Sequence, residues 1–299
     1  TGCGNKEPKT ETVTLNIGFQ KYGLLPVIKE RGVLDSTLKE KNINVKWVEF
    51  PAGTQLLEGL NVGSVALGEV GEAPPIFAQA AGANLVYIAN QPAAPTAEAL
   101  IIPKDSPIKS IQDLKGKRVA LNKGSNVHYL LLKVLEKNNL KLSDIEVVYL
   151  PPSDARAAFE RGAVDAWVIW DPVFAAAEHQ IGARVLADGT NLVNNHQFYL
   201  ADREIAEQHP EVLENVITEL NSAADWVKNN QEQATQILEK PTGLSKDILK
   251  TSIGRMSFAV QPISTDVAKE QQYVADAFYQ QKLIPNTINI QAALLSSKK

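Results

Sequence analysis

Two turns of this sequence combine residue types that could hold an anion. Lys123, Gly124, Ser125 and Asn126 follow an apolar run ending at Leu121 and open a stretch in which Val127, Leu130, Leu131 and Val134 recur at helical spacing. At such a strand-to-helix turn the backbone N–H groups and the helix dipole face an incoming anion; Gly124 permits close backbone approach and Ser125 adds a hydroxyl donor. An ordinary capped turn uses the same residue types. A second turn, Val70, Gly71, Glu72, Ala73, Pro74, stands between another β run and a helix opened by proline. If the two turns belong to opposite lobes, both helix N-termini can share one anion. Glu72 would repel that anion, so it is expected to face away and cap its own helix or to meet a positive group elsewhere on a ligand.

Two of the four tryptophans, Trp167 and Trp170, fall in the string Asp165, Ala166, Trp167, Val168, Ile169, Trp170, Asp171, Pro172. In a regular strand they point to opposite faces, so one is expected in the core and one against a pocket, where it offers an apolar wall. Asp171 beside them is a candidate partner for an ammonium group. Gln20 and Lys21 stand where the first strand meets its helix; Gln20, a neutral amide, can donate to an anion at less desolvation cost than a buried ammonium. His128 and Phe198 complete the candidate ligand-binding set.

Bond-breaking chemistry lacks its usual parts. The sequence holds no GxxxxGK[ST] loop, GxSxG elbow or HExxH helix, and His128, His179, His196 and His209 are scattered, with no cysteine at metal-ligand spacing. No catalytic residue, metal or cofactor is expected.

The elements that must carry these turns read as alternating strands and helices. Strands are predicted over residues 13–19, 45–50, 65–70 and 85–89, with helices over 24–30, closed by Gly32, and over 55–60 and 74–81. The alternation then begins afresh, with strands over 99–102, 118–121, 145–150 and 167–169, a helical turn over 111–114, and helices from Val127 through Leu135 and over 155–160, Ser153 being the expected N-cap. From Asp202 onward the pattern is almost wholly helical, with Leu213, Val216, Ile217, Leu220, Ala224 and Val227 on one face. Parallel α/β architecture follows, in two lobes joined by a two-crossing hinge. Residues 13–98 and 199–299 are assigned to lobe 1 and residues 99–198 to lobe 2, with the crossings near Glu98 and Tyr199. A cleft between hinged lobes is where ligands tend to lie.

With 299 residues, 44% of them hydrophobic, each lobe can bury its own core. A formal charge of −4, from 30 basic and 34 acidic residues, leaves no footprint for nucleic acid. No run approaches the roughly 18 apolar residues of a membrane-spanning helix. Any membrane link is therefore expected at an end. The sole cysteine, Cys3, lies in Thr1, Gly2, Cys3, Gly4, Asn5 ahead of a polar leader reaching residue 12, and the string resembles the tail of a bacterial lipoprotein signal with Cys3 as the lipidation site.

Several strings together resemble the aliphatic sulfonate-binding proteins of ABC transporters: WVEFPAG from Trp47, LNVGSVALG from Leu60, PPIFAQAAGA from Pro74, SPIKSIQDLKGKRVALNKGS from Ser106 and DARAAFERGAVDAWVIWDP from Asp154. The resemblance runs from about Leu15 to about Pro285. It implies the type II periplasmic-binding-protein fold, a small organic sulfonate trapped by lobe closure, and delivery to a membrane permease driven by a separate ATPase, for sulfur acquisition. It also implies a sulfonate held by Gln20, by Gly71 with Glu72 and by Ser125 with Asn126, and a tryptophan of the 165–172 segment bordering the organic part. Asn126 and Val127 stand where relatives often carry further serines, and Glu72 where a shorter aspartate is common, which changes the donors at the head group. Taurine, nitrate or a thiamine precursor is the alternative cargo, and a pyrimidine-precursor synthase the alternative of another class. A periplasmic or cell-surface monomer, with no nucleic-acid partner, is expected.

Overall fold

The computed structural model describes Gly4 and residues 11–295; Cys3 and the lipidation expected on it lie outside the described residues. The chain opens with β1 (Val13–Phe19), which alternates up to Leu15 and Asn16 and is then buried throughout from Ile17 to Phe19. Helix α1 (Leu24–Arg31) ends at Gly32, whose φ of 71° is a left-handed conformation that only glycine adopts at no steric cost. The same Gly32 starts α2 (Val33–Glu40), a helix absent from the sequence reading, which buries Leu34 and Leu38 one turn apart. Strand β2 (Ile43–Glu49), α3 (Gly53–Asn61), β3 (Leu67–Val70), α4 (Ala73–Ala80) and β4 (Leu85–Asn90) follow.

The second unit consists of β5 (Glu98–Ile102), β6 (Arg118–Leu121), α5 (Asn126–Lys137), β7 (Glu146–Tyr149), α6 (Pro152–Glu160), β8 (Ala166–Trp170), α7 (Val173–Ile181) and β9 (Arg184–Asp188). Ser153 is not the N-cap of α6: Pro151 occupies that position and Pro152 opens the helix, its ring already holding a helical φ. The chain then returns through β10 (Phe198–Asp202), α8 (Arg203–Gln208), α9 (Pro210–Asn229), α10 (Gln231–Thr242), α11 (Lys246–Ile253), the two-residue β11 (Gln261–Pro262) and α12 (Thr265–Gln280).

Two sheets result, ordered β11-β4-β10-β3-β1-β2 and β7-β6-β8-β5-β9. The segments β2-β1-β3-β10-β4 and β7-β6-β8-β5-β9 share one plan. In each, the first strand of the lobe's parallel core (β1 or β6) lies between its two parallel partners, and the antiparallel strand that follows a crossing (β10 or β5) comes next. The chain crosses between the sheets at residues 91–97 and 189–197, and the crossings run side by side, tied by Gln91 N–H to Gln197 O and Ala94 N–H to Asn194 O, each 2.9 Å. Phe198, assigned above to the second lobe, is thus the first residue of a strand in the first sheet, and Glu98 the first residue of a strand in the second.

The lobes touch. Phe278 of α12 is fully buried, 5.2 Å by ring centroids from Phe77 of α4 and 6.1 Å from Tyr129 of α5. One apolar cluster therefore runs from Leu56 and Ile76 in the first lobe to Val127 and Leu131 in the second. A smaller seam joins Ala175 and Ala176 of α7 to Ile248 of α11. No helix among the described residues is long and apolar enough to cross a membrane.

Candidate functional site

Four strand-to-helix turns meet where the lobes face each other: residues 20–23 after β1, 71–72 after β3, 122–125 after β6 and 171–172 after β8. They occupy equivalent places in the two sheets.

In the turn after β6, Gly124 has φ 70°, and a Cβ there would lie 2.9 Å from Phe77 Cζ of the opposite lobe, so a glycine is needed both for conformation and for approach. The donors of this cradle are partly engaged. Gly124 N–H donates to His128 Nδ1 at 3.0 Å, and the Ser125 hydroxyl donates to Asn122 O at 2.6 Å. His128 is fully buried behind the turn, with ring contacts to Tyr149 and Phe278. Burial first, and the nearby Lys123 ammonium second, push its pKa down to about 4. The neutral ring accepts from Gly124 at Nδ1 and supports the turn from within the core.

Asn126 reaches across the interface. Its Oδ1 accepts from Ala73 N–H, the first residue of α4, at 3.0 Å, and its Nδ2 donates to Asn195 Oδ1 in the second crossing at 3.1 Å. Asn195 in turn donates to Ala94 O in the first crossing at 2.9 Å. One carboxamide therefore satisfies an orphan N–H at the α4 N-terminus and ties α5 to both hinge strands.

Glu72 precedes α4 but makes no capping bond to it. It is buried, and one of its oxygens has no partner among the described residues. Burial, reinforced by the Glu270 carboxylate, pushes its pKa up to about 8. It borders a cavity of about 210 Å³ shared with Tyr129, Lys133, His196 and Glu270. His196 Nδ1 lies 2.8 Å from Gln91 O, so that nitrogen carries a proton, and its Nε2 lies 3.0 Å from Glu270 Oε2. Glu98, fully buried with neither oxygen partnered among the described residues, is also pushed well above the ordinary carboxylate range, by burial and then by Glu72.

At the fourth turn Asp171 Oδ1 accepts from Ala175 N–H at 3.0 Å and lies 3.5 Å from Arg255 Nη1 of the opposite lobe. Burial outweighs that guanidinium and pushes Asp171 up to about 7. The tryptophans divide between faces. Trp167 is 1% exposed and packs 5.6 Å from Phe159 in the second lobe's core, whereas Trp170 at the strand end is half-buried. Phe198, likewise a candidate, is core: it packs edge-on at 5.0 Å against Tyr87. Gln20 is half-buried and Lys21 exposed at the end of β1. The sequence reading did not single out Arg255 or Glu69, and it named Glu98 only as the place of a crossing. Glu69 is buried in β3, where a Cβ on Gly23 would come 3.6 Å from its Oε2, and burial pushes it up to about 8. An acidic residue inside an apolar strand, as in Leu67, Gly68, Glu69, Val70, was the available signal for it. No spacing pattern pointed to Arg255.

Among the described residues no three or more His, Cys, Asp or Glu side chains are grouped to hold a metal.

The NMT1/THI5-like family profile matches residues 38–234. An aliphatic sulfonates-binding protein of Escherichia coli strain K12 is 45% identical over 278 residues, covering 92% of this chain and 86% of that protein. The crystal structure of the periplasmic aliphatic sulphonate binding protein SsuA from Escherichia coli superposes with a TM-score of 0.89 at 42% identity, covering 96% of this chain and 94% of that one. The alkanesulfonate-binding protein SsuA from Xanthomonas axonopodis pv. citri, bound to MOPS, gives 0.86 at 40% identity over 96% of this chain and 99% of that one. With paired turns at the meeting of two like-ordered sheets and similarity along nearly its whole length, this chain belongs to the NMT1/THI5-like family and, within it, to the aliphatic sulfonate-binding proteins of ABC importers.

Proposed function

We propose that this protein is the extracytoplasmic binding component of an ABC importer, capturing an aliphatic sulfonate between its lobes and presenting it to a membrane permease driven by a separate ATPase. The observation that carries the reading is the meeting of the α4 and α5 N-termini across the interface, within one hydrogen bond of each other through Asn126. A sulfonate is a monoanion at all physiological pH, with three acceptor oxygens and no proton to give. Helix-end N–H groups and neutral donors such as Gln20 and Ser125 satisfy it without an arginine fork, which a phosphate would favour. Trp170, half-buried at the strand end, supplies the apolar wall for the alkyl part.

The protein acts by binding alone. The histidine nearest the cradle, His128, is buried, committed to Gly124 N–H and held neutral, which leaves it poorly suited to move a proton on a ligand. We further propose that the protein works as a monomer, tethered through a lipid on Cys3.

Calorimetry with an alkanesulfonate, taurine, nitrate and sulfate tests the reading, followed by mass spectrometry of the recovered ligand. The alkanesulfonate is expected to bind tightest and to return unmodified. Tight binding of nitrate or sulfate without alkanesulfonate binding, or a chemically altered ligand, overturns it.

A further inference from the structure

We propose that Arg255, engaging Asp171 and Glu178, is a latch across the lobes that sets how long a captured ligand is held; the inference rests on the closing-lobe reading above. Arg255 follows α11 in the first lobe, its N–H bonded to Ser252 O at 3.1 Å. Its guanidinium partners all come from the second lobe. Nη1 lies 3.5 Å from Asp171 Oδ1, Nη2 is hydrogen-bonded to Glu178 Oε1, and the guanidinium carbon stands 4.0 Å from the centroid of the Phe174 ring.

Phe174 and Glu178 fall one turn apart on α7, and Asp171 stands in the turn just before that helix, so together they present carboxylate, aromatic ring and carboxylate to a single planar cation. A guanidinium matches such a stripe because its donors fork in one plane while its face stacks on the ring. The site is largely shielded: the Asp171 side chain is 3% exposed and that of Arg255 17%. Shielding makes the pair matter in the closed state, because a carboxylate buried without its cation is far costlier than a surface ion pair is favourable. The neighbouring contacts form the same seam, with His179 Nε2 2.8 Å from Thr251 Oγ1 and Ala175 and Ala176 against Ile248.

Because these partners lie across the interface, losing the guanidinium removes lobe-to-lobe contacts and leaves the packing within each lobe intact. A latch of this kind changes the lifetime of the closed state more than the rate of encounter. Asp171, a candidate for a ligand's ammonium in the sequence, is on this reading a closure residue.

The test uses the full chain carrying Cys3→Ser with Val62→Cys and Val185→Cys, exposed positions in the first and second lobes, labelled as a dye pair for single-molecule distance measurement. Lobe separation is measured with and without an alkanesulfonate, and ligand release by stopped flow. Arg255→Ala is expected to move population to the longer distance and to speed release by about tenfold or more with little change in association. Arg255→Lys recovers part of the closure, since it restores charge without the fork. Glu178→Gln, which leaves the Asp171 contact in place, gives a smaller shift in the same direction and serves if Arg255→Ala folds poorly. Unchanged distances and release in Arg255→Ala overturn the latch, as does slower association at unchanged distance, which makes Arg255 a ligand contact. If the parent chain binds no alkanesulfonate while Arg255→Ala still opens the lobes, the latch stands and the sulfonate reading falls.

Discussion

Gly71 and Asn126 meet across the lobe interface so closely that a Cβ on residue 71 would lie 2.6 Å from Asn126 Nδ2 and 2.9 Å from its Oδ1. The glycine is required by approach, not by a left-handed backbone, since its φ is not positive. Gly71→Ala is therefore expected to prop the α4–α5 seam open and weaken alkanesulfonate binding by about tenfold or more, near 1.4 kcal/mol, with a small change in Tm. Calorimetry and thermal melting check it. Adding Asn126→Ala removes the clash, so the double variant is expected to bind better than Gly71→Ala alone, a coupling that two independent effects would not produce.

Ser125→Ala is expected to weaken sulfonate binding by about 1–2 kcal/mol, the range for one hydrogen bond to a charged group. The hydroxyl donates to Asn122 O in this structure and makes no capping bond to α5, so stability is expected to change little. Affinity equal to the parent's would take Ser125 out of the site.

The two tryptophans are expected to separate stability from affinity. Trp167→Ala empties a buried site beside Phe159 and should cost about 3–5 kcal/mol of stability, read by urea denaturation. Trp170→Ala is expected to lose more affinity for long-chain than for short-chain alkanesulfonates, because a larger apolar tail has more wall to lose. Equal losses across chain length would place Trp170 away from the tail.

Glu69 links stability to pH. Burial pushes its carboxyl from the ordinary 4.5 up to about 8 in the folded chain. Between those values the folded state keeps a proton that the unfolded state has released. Stability therefore falls as pH rises through that window, with a limiting slope of about 1.4 kcal/mol per pH unit for one such group. Glu72, raised in the same way, adds to the decline. Urea denaturation between pH 5 and pH 9 is expected to show a shallower decline in Glu69→Gln, whose neutral amide has no charged form to bury. A parallel decline in both proteins would mean that Glu69 is ionised when folded.

Local pattern carried much of the architecture. Alternation over 13–19 and helical spacing from Val127 to Val134 are properties of a few neighbouring residues, so β1 and α5 were legible before any fold was known. Helix α2 escaped because only Leu34 and Leu38 mark its buried face, too few for a period to show. Ser153 was misread because a serine near a helix start is a weaker signal than the proline beside it.

The sequence by itself determined that two α/β units alternate along the chain, that glycine turns end their strands, and that Trp167 and Trp170 face opposite ways. Each of these depends on contacts or geometry within about one turn or one strand. Only the tertiary structure decided that Trp167 is the core member, that Asn126 spends its amide on Ala73 and Asn195, and that Arg255 answers Asp171 from 84 positions away along the chain. Such partners share no period or spacing, because what brings them together is the packing of one lobe against the other.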